Sequence, residues 1–208
     1  MANFFPILMG DISSSSDYEQ EKLRVQLKQL IEETNTMEKD HILSPLTITL
    51  GDEFQGVAHS EAAGMRLIFS LEERILQQRL PFRLHYVLLT GEIETRINKR
   101  IAYEMMGSGL TKAREMLSSK KRDRKRFEIK LHEGANEQPV QNMFQVLDSI
   151  SSNWKQDDYP IIHAMLQTAN NTEVANAFSK NRSQIWKRRK TLMIEEYQLL
   201  KSSILTLV

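Results

Sequence analysis

Apolar residues recur along the chain with two periods. The run Phe4-Phe5-Pro6-Ile7-Leu8-Met9 is short and nearly all apolar, which predicts a buried strand ending at Gly10-Asp11. Leu23, Leu27, Leu30 and Ile31 then fall at helical spacing and predict an amphipathic helix over about 17–34, with Ser16 and Glu19 as its capping box. Asn35 to Pro45 reads as a connection. Leu46 to Leu50 reads as a strand, and Gly51-Asp52-Glu53 turns it into a hairpin with Phe54–Ala58. Met65, Ile68, Leu71 and Ile75 predict a second helix over about 60–79. Phe82, Leu84, Tyr86 and Leu88 alternate with Arg83, His85, Val87 and Leu89 to give a further strand, broken at Thr90-Gly91-Glu92. A helix opening at Gly107-Ser108-Gly109 and a short strand at Phe127–Leu131 complete the first part.

The order is strand, helix, hairpin, helix, strand, helix, strand. It predicts an α+β fold, a ferredoxin-like mixed sheet with helices on one face. His132 to Pro139 reads as a linker, and only helices are expected beyond it. The expected domains are therefore 1–135, α+β, and 136–208, helical.

The chain has 208 residues, 40% of them hydrophobic, enough for a substantial core. It has no cysteine, which excludes disulfides and thiolate zinc sites and fits a reducing compartment. The apolar stretch Phe4–Met9 is too short for a signal peptide or a membrane span, so the expectation is a soluble, cytoplasmic protein. The net charge of +1 hides an asymmetry. Residues 151–208 carry eight Lys/Arg against five Asp/Glu, a net of +3, which leaves −2 for residues 1–150. Six of those eight cations lie between Lys180 and Lys190. A second basic run, Lys120 to Arg126, reads most simply as a solvated charge cluster.

The candidate chemistry lies in the two Gly-Asp strand ends. If Phe4–Asp11 and Leu46–Asp52 lie in one sheet, with neighbouring strands about 4.8 Å apart, their carboxylates converge and can hold a divalent cation. The serines Ser13, Ser14 and Ser15 follow Asp11 at an expected helix start, where hydroxyls and backbone N–H groups suit a phosphate. The simpler reading makes Asp52 a turn residue and Asp11 a helix-approach residue, with one serine capping the helix. The five histidines are scattered with no i, i+4 pair, which argues against a histidine metal site.

Asp11-Ile12, the hairpin Thr49-Leu50-Gly51-Asp52, Gly91-Glu92 and Met106-Gly107-x-x-Leu110-x-x-Ala113 resemble the catalytic domains of class III nucleotidyl cyclases and, more distantly, the diguanylate cyclase palm. The likeness covers about residues 3–131. The chain as a whole resembles the SatD family of small bacterial proteins. The cyclase resemblance implies Mg²⁺ bound by Asp11, the carbonyl of Ile12 and Asp52, with a nucleotide as ligand. It also implies an Asn and an Arg on the later helix. Thr111 and Glu115 stand at those places, and Arg114 is expected about 100° away around the helix. A carboxylate where a cation should neutralise phosphate argues against cyclase turnover.

Near the carboxyl end, Thr172 is the expected cap of a short helix with Val174, Ala175 and Phe178 inward. Ser179–Asn181 makes a turn, and a second helix returns Ile185 to the core. Residues 170–190 thus resemble the helix-turn-helix of bacterial regulators, which implies duplex DNA as partner. Arg182, Ser183, Gln184, Lys187 and Arg188 are the expected contacts, and Trp186 is expected to pack inward. The plainer alternative is a helical hairpin with a solvated basic face. A final helix over 192–207 carries an apolar stripe that suits burial or a homodimer contact.

Three functional readings remain at this level. One is a DNA-binding transcriptional regulator with a cyclase-like domain that senses a nucleotide and Mg²⁺. Another is a Mg²⁺-dependent nucleotide-processing enzyme using Asp11 and Asp52. The third is an interaction protein with neither activity.

Overall fold

The computed structural model describes residues 3–13, 19–119, 125–132 and 136–208. Five strands form one sheet: β1 (Phe4–Ile12), β2 (Ile42–Ile48), β3 (Glu53–Ala58), β4 (Leu84–Glu92) and β5 (Phe127–Lys130), in the order β2-β3-β1-β4-β5. β1 is antiparallel to both β3 and β4, β2 is antiparallel to β3, and β5 is parallel to β4. Helices α1 (Gln20–Met37) and α2 (Glu61–Gln77) connect β1 to β2 and β3 to β4. This gives the two interleaved split β-α-β units of the expected ferredoxin-like mixed sheet. Helix α3 (Ser108–Leu117) then carries the chain from β4 to the added parallel strand β5.

The pleat sorts side chains onto two faces. Leu8, Ile12, Phe54, Leu84, Tyr86 and Leu88 lie under α1 and α2. Ile7, Met9, Val57, Val87 and Leu89 lie on the reverse face, against Ala113 and Leu117 of α3. The expectation of helices on one face is therefore corrected: α3 covers the other. The correction follows from strand composition, because β1 and β4 are apolar at consecutive positions and so need cover on both sides.

Two boundaries also shift. β2 starts at Ile42 and includes Pro45, which an edge strand with register irregularities tolerates. Glu19 caps α1 without a side-chain bond, and Ser16, its expected capping partner, lies outside the described residues.

Five further helices follow: α4 (Glu137–Ser151), α5 (Tyr159–Gln167), α6 (Asn171–Ala177), α7 (Arg182–Thr191) and α8 (Ile194–Leu207). Pro139 sits in the first turn of α4, where the missing N–H costs nothing. The helical segment shares the core of the sheet's first face. Phe144 stacks on Phe69 at 5.7 Å and meets Phe127 at 4.9 Å, and Val174, Ile185 and Ile204 belong to the same cluster.

An ionic node fastens this junction. Arg126 donates to both carboxylate oxygens of Glu72, at 2.6 and 2.5 Å, to the Leu84 carbonyl at 3.0 Å and to Asp148 at 3.3 Å. Tyr86 donates its hydroxyl to Glu72 at 2.8 Å. Burial alone would lower the Arg126 pKa, but Glu72, then Tyr86 and Asp148, push it above its ordinary value. Burial, then Glu72, pushes the Tyr86 phenol well up. Among the described residues, no helix is long and apolar enough to cross a membrane.

Candidate functional site

The carboxyl end of β1 meets the β2–β3 hairpin at one corner of the sheet. Asp11 pairs across the ladder with Glu53 on one side and with His85 on the other. All three belong to the reverse face by alternation with Met9, Val57 and Val87. His85 Nδ1 lies 3.4 Å from the Asp11 carboxylate and 3.0 Å from Ser13 Oγ. The Ile12 N–H donates to the Asp52 carbonyl at 3.2 Å, closing the hairpin onto the strand end. In an antiparallel ladder a residue's N–H and C=O leave the strand on the same edge, so the Ile12 carbonyl also faces the hairpin.

Two glycines shape this corner. A Cβ on Gly10 would lie 2.6 Å from the Phe54 ring and 2.7 Å from the His85 carbonyl. Gly51 turns the hairpin with φ +54, a conformation that favours glycine.

Asp11, Ile12 and Asp52 thus lie together, with Ser13 beside them. Ser14 and Ser15 lie outside the described residues. Among the described residues, no group of three or more His, Cys, Asp or Glu is placed to hold a metal ion. The expected donors are two carboxylates and a carbonyl. These are hard oxygens of the kind Mg²⁺ accepts while keeping several waters, so the donor chemistry fits that ion.

Glu53 and His85 were not among the expected site residues. Glu53 follows Asp52 directly, so a period-two count along the hairpin could have placed it opposite Asp11. No local pattern encodes the β1–β4 register that brings His85 to Asp11.

A groove of about 820 Å³ adjoins the corner, lined by Thr49, Gln55, Tyr103, Thr111, Arg114 and Glu115 among others. Its wall is the loop over residues 93–107, which hydrogen bonds onto the hairpin strands. Ser44 donates to the Asn98 carbonyl at 2.6 Å, and the Tyr103 hydroxyl donates to the Ile48 and Thr49 carbonyls at 2.7 and 3.1 Å. Arg114 donates to Gln55 Oε1 at 2.9 Å, and Gln55 donates to the Ala102 carbonyl. Arg114 was expected to point away from Thr111 and Glu115, yet all three line this groove. The helix is seated by a glycine contact: a Cβ on Gly109 would lie 2.6 Å from the Gly91 carbonyl carbon.

At the other end of the chain, α6 and α7 are joined by Phe178–Asn181, with Ser179 in the left-handed conformation at φ 50. Asn170, not Thr172, caps α6 by accepting from the backbone N–H groups of Thr172 and Glu173. Asn181 and Gln184 form a capping box at the start of α7. Val174, Ala175 and Ile185 are buried where the helices cross.

Arg182, Ser183, Gln184 and Lys187 are exposed. Arg188 instead pairs with Asp158 at 2.5 Å. Trp186, expected to pack inward, is 52% exposed. The buried cation is Arg189, which donates to the Met165 and Thr168 carbonyls and to Asn171, at 2.9, 2.8 and 2.9 Å. It ties α7 to α5 and to the start of α6. Burial, only partly opposed by Glu195, lowers its pKa.

The family model that matches this sequence is described as the SatD family and covers residues 5–207. Among solved structures, the chain is similar to the catalytic core of a rhodopsin-guanylyl cyclase with converted specificity, in complex with ATPalphaS. Identity is 14%, coverage is 57% of this chain and 73% of that one, and the TM-score is 0.37. It is also similar to the guanylyl cyclase Cya2, with 16% identity, coverage of 57% and 72%, and a TM-score of 0.37. No curated protein matches the chain.

Proposed function

The chain belongs to the SatD family, and for it we propose a DNA-binding transcriptional regulator whose sheet corner senses a nucleotide with Mg²⁺. The observation that carries this reading is the exposed row Arg182, Ser183, Gln184 and Lys187 on a helix held in place by a left-handed turn at Ser179 and by buried Arg189. A second helix presented in this way enters the major groove with its early side chains at base edges and its flanking cations at phosphates. Arg182 suits guanine. Gln184 suits adenine, although its Oε1 already accepts from the Asn181 N–H. Arg188 joins only when its pair with Asp158 opens. Binding as a homodimer in the cytoplasm, with two half-sites, completes the proposal.

On the ligand side, Asp11, the Ile12 carbonyl and Asp52 would hold Mg²⁺, which supplies positive charge for nucleotide phosphates. Ser13 offers a hydroxyl beside them. Arg83 gives the corner a physical link to the helical segment. Its carbonyl accepts from the Ser13 N–H at 2.8 Å, while its guanidinium holds Asp148 of α4 at 2.7 Å.

The test is fluorescence anisotropy with labelled duplex DNA over a salt series. Log affinity should fall linearly with log salt, and Arg182→Glu with Lys187→Glu should abolish binding. Full affinity and an unchanged salt slope in that double variant refute the groove helix.

A second reading, a Mg²⁺-dependent nucleotide-processing enzyme, is favoured by one observation: Arg114 brings a cation into the groove beside the corner. It requires turnover of a nucleoside triphosphate that disappears in Asp52→Asn. Absence of any conversion across a nucleotide panel removes it.

A further inference from the structure

A second groove, of about 360 Å³, lies where the end of α1 meets α2, α5 and α8. Arg66, Glu73, Arg74, His41, His163 and Lys201 are among its lining residues. Arg66 and Arg74 stand two helical turns apart on α2, so they share one face of that helix.

Arg74 is the unusual member. Its side chain is only 9% exposed, and Nη1 donates to Glu33 at 3.1 Å. Nη2 meets the Met37 sulfur, a weak acceptor. The buried Nε has no acceptor among the described residues. The Nη2 donor, whose partner among the described residues is the Met37 thioether, has capacity for a stronger acceptor brought into the groove.

The neighbouring charges agree. Lys201 is neutralised by Glu73, and His41 lies near Glu38 at 3.9 Å. Arg66 is exposed and makes no ion pair among the described residues. The groove therefore offers uncompensated positive charge at Arg66 and, at Arg74, an Nη2 held by a thioether.

We propose that this groove binds a small molecule bearing a phosphate or carboxylate group, held between Arg66 and Arg74. The planar guanidinium fork matches both groups. The volume suits a small metabolite rather than a polymer. The lining helices come from both parts of the chain, α1 and α2 from the sheet region and α5 and α8 from the helical segment. A ligand here fastens α2 to α5, the helix whose Met165 carbonyl helps seat Arg189 of α7. The site is separate from the Asp11–Asp52 corner and does not depend on the function proposed for it.

The test uses the intact chain in thermal-shift and calorimetric titrations with inorganic phosphate and with citrate, against sodium chloride of equal ionic strength. At least one of the two anions should raise the melting temperature where chloride does not, and the stronger arm identifies the recognised group. Arg66→Ala, at an exposed position, should keep the fold and weaken binding about tenfold or more. Arg74→Lys should weaken it as well by removing the planar fork. Asp52→Asn should respond as the parent does, which separates this site from the corner. No shift beyond chloride with either anion, or an undiminished response in Arg66→Ala, overturns the proposal.

Discussion

Asp11 stands directly opposite Glu53 in the β1–β3 ladder. On the other side of the strand His85 Nδ1 lies 3.4 Å from the Asp11 carboxylate. A divalent cation would, on the proposed reading, bind beside these carboxylates. Asp11→Asn and Asp52→Asn should each abolish the rise in melting temperature given by Mg²⁺ with a nucleotide, measured by thermal shift. Ser13→Ala should weaken the nucleotide-dependent part while leaving a response to Mg²⁺ alone. A full response in Asp52→Asn would rule out the corner as the metal site.

Glu72 and Arg126 form a buried ion pair. Glu72→Leu or Arg126→Met alone should lower stability by about 3–5 kcal/mol, because the remaining partner loses its principal counter-charge. The double variant Glu72→Leu with Arg126→Met should recover most of that loss. Urea unfolding of the four proteins forms the cycle, and simple additivity of the two losses would contradict a coupled pair.

Gly109 packs its backbone on that of Gly91. Alanine at 109 gains up to about 1 kcal/mol of helix propensity. Its methyl, however, meets backbone, which no side-chain rotation can relieve, and overpacking of this kind costs about 1–3 kcal/mol. Gly109→Ala should therefore be destabilising in urea unfolding. A gain in stability would show that α3 tolerates more space than the contact implies.

His163 is half-buried on α5, and burial lowers its pKa below the ordinary 6.5, with Glu73 of α2 opposing the shift. Lys201, Arg66 and Arg74 are the cations of the same groove. The unfolded chain takes up the proton first as pH falls. Stability from this residue is thus complete above 6.5 and is lost between 6.5 and the lower folded value. His163→Gln should flatten the fall of melting temperature across that window. An unchanged pH profile would assign the fall to other groups.

Strong local periodicity made much of the fold legible. The alternation from Phe82 to Leu88 and the spacing of Leu23, Leu27, Leu30 and Ile31 foretold β4 and α1, and the strand-helix order foretold the mixed sheet. What stayed hidden depended on distant partners. Pro45 disguised the start of β2 because a strand keeps an interior proline where it lies at an edge or bulges, and β2 does both. The side of the sheet taken by α3 follows from the cover β1 and β4 need on both faces, not from the helix's own pattern. His85 reached Asp11 through a ladder register that no local signal encodes. In α7, Arg188 and Arg189 are identical neighbours in sequence, yet only tertiary packing decides that one pairs at the surface and the other is buried.

The two tryptophans occupy opposite environments: Trp154 is enclosed with its indole N–H on the Leu192 carbonyl, whereas Trp186 stands open beside Lys187. The chain therefore carries its own optical reporter. In a Trp154→Phe background the remaining tryptophan emission comes from α7 alone, so iodide quenching of that emission reads directly whether that surface becomes covered, with no dye attached.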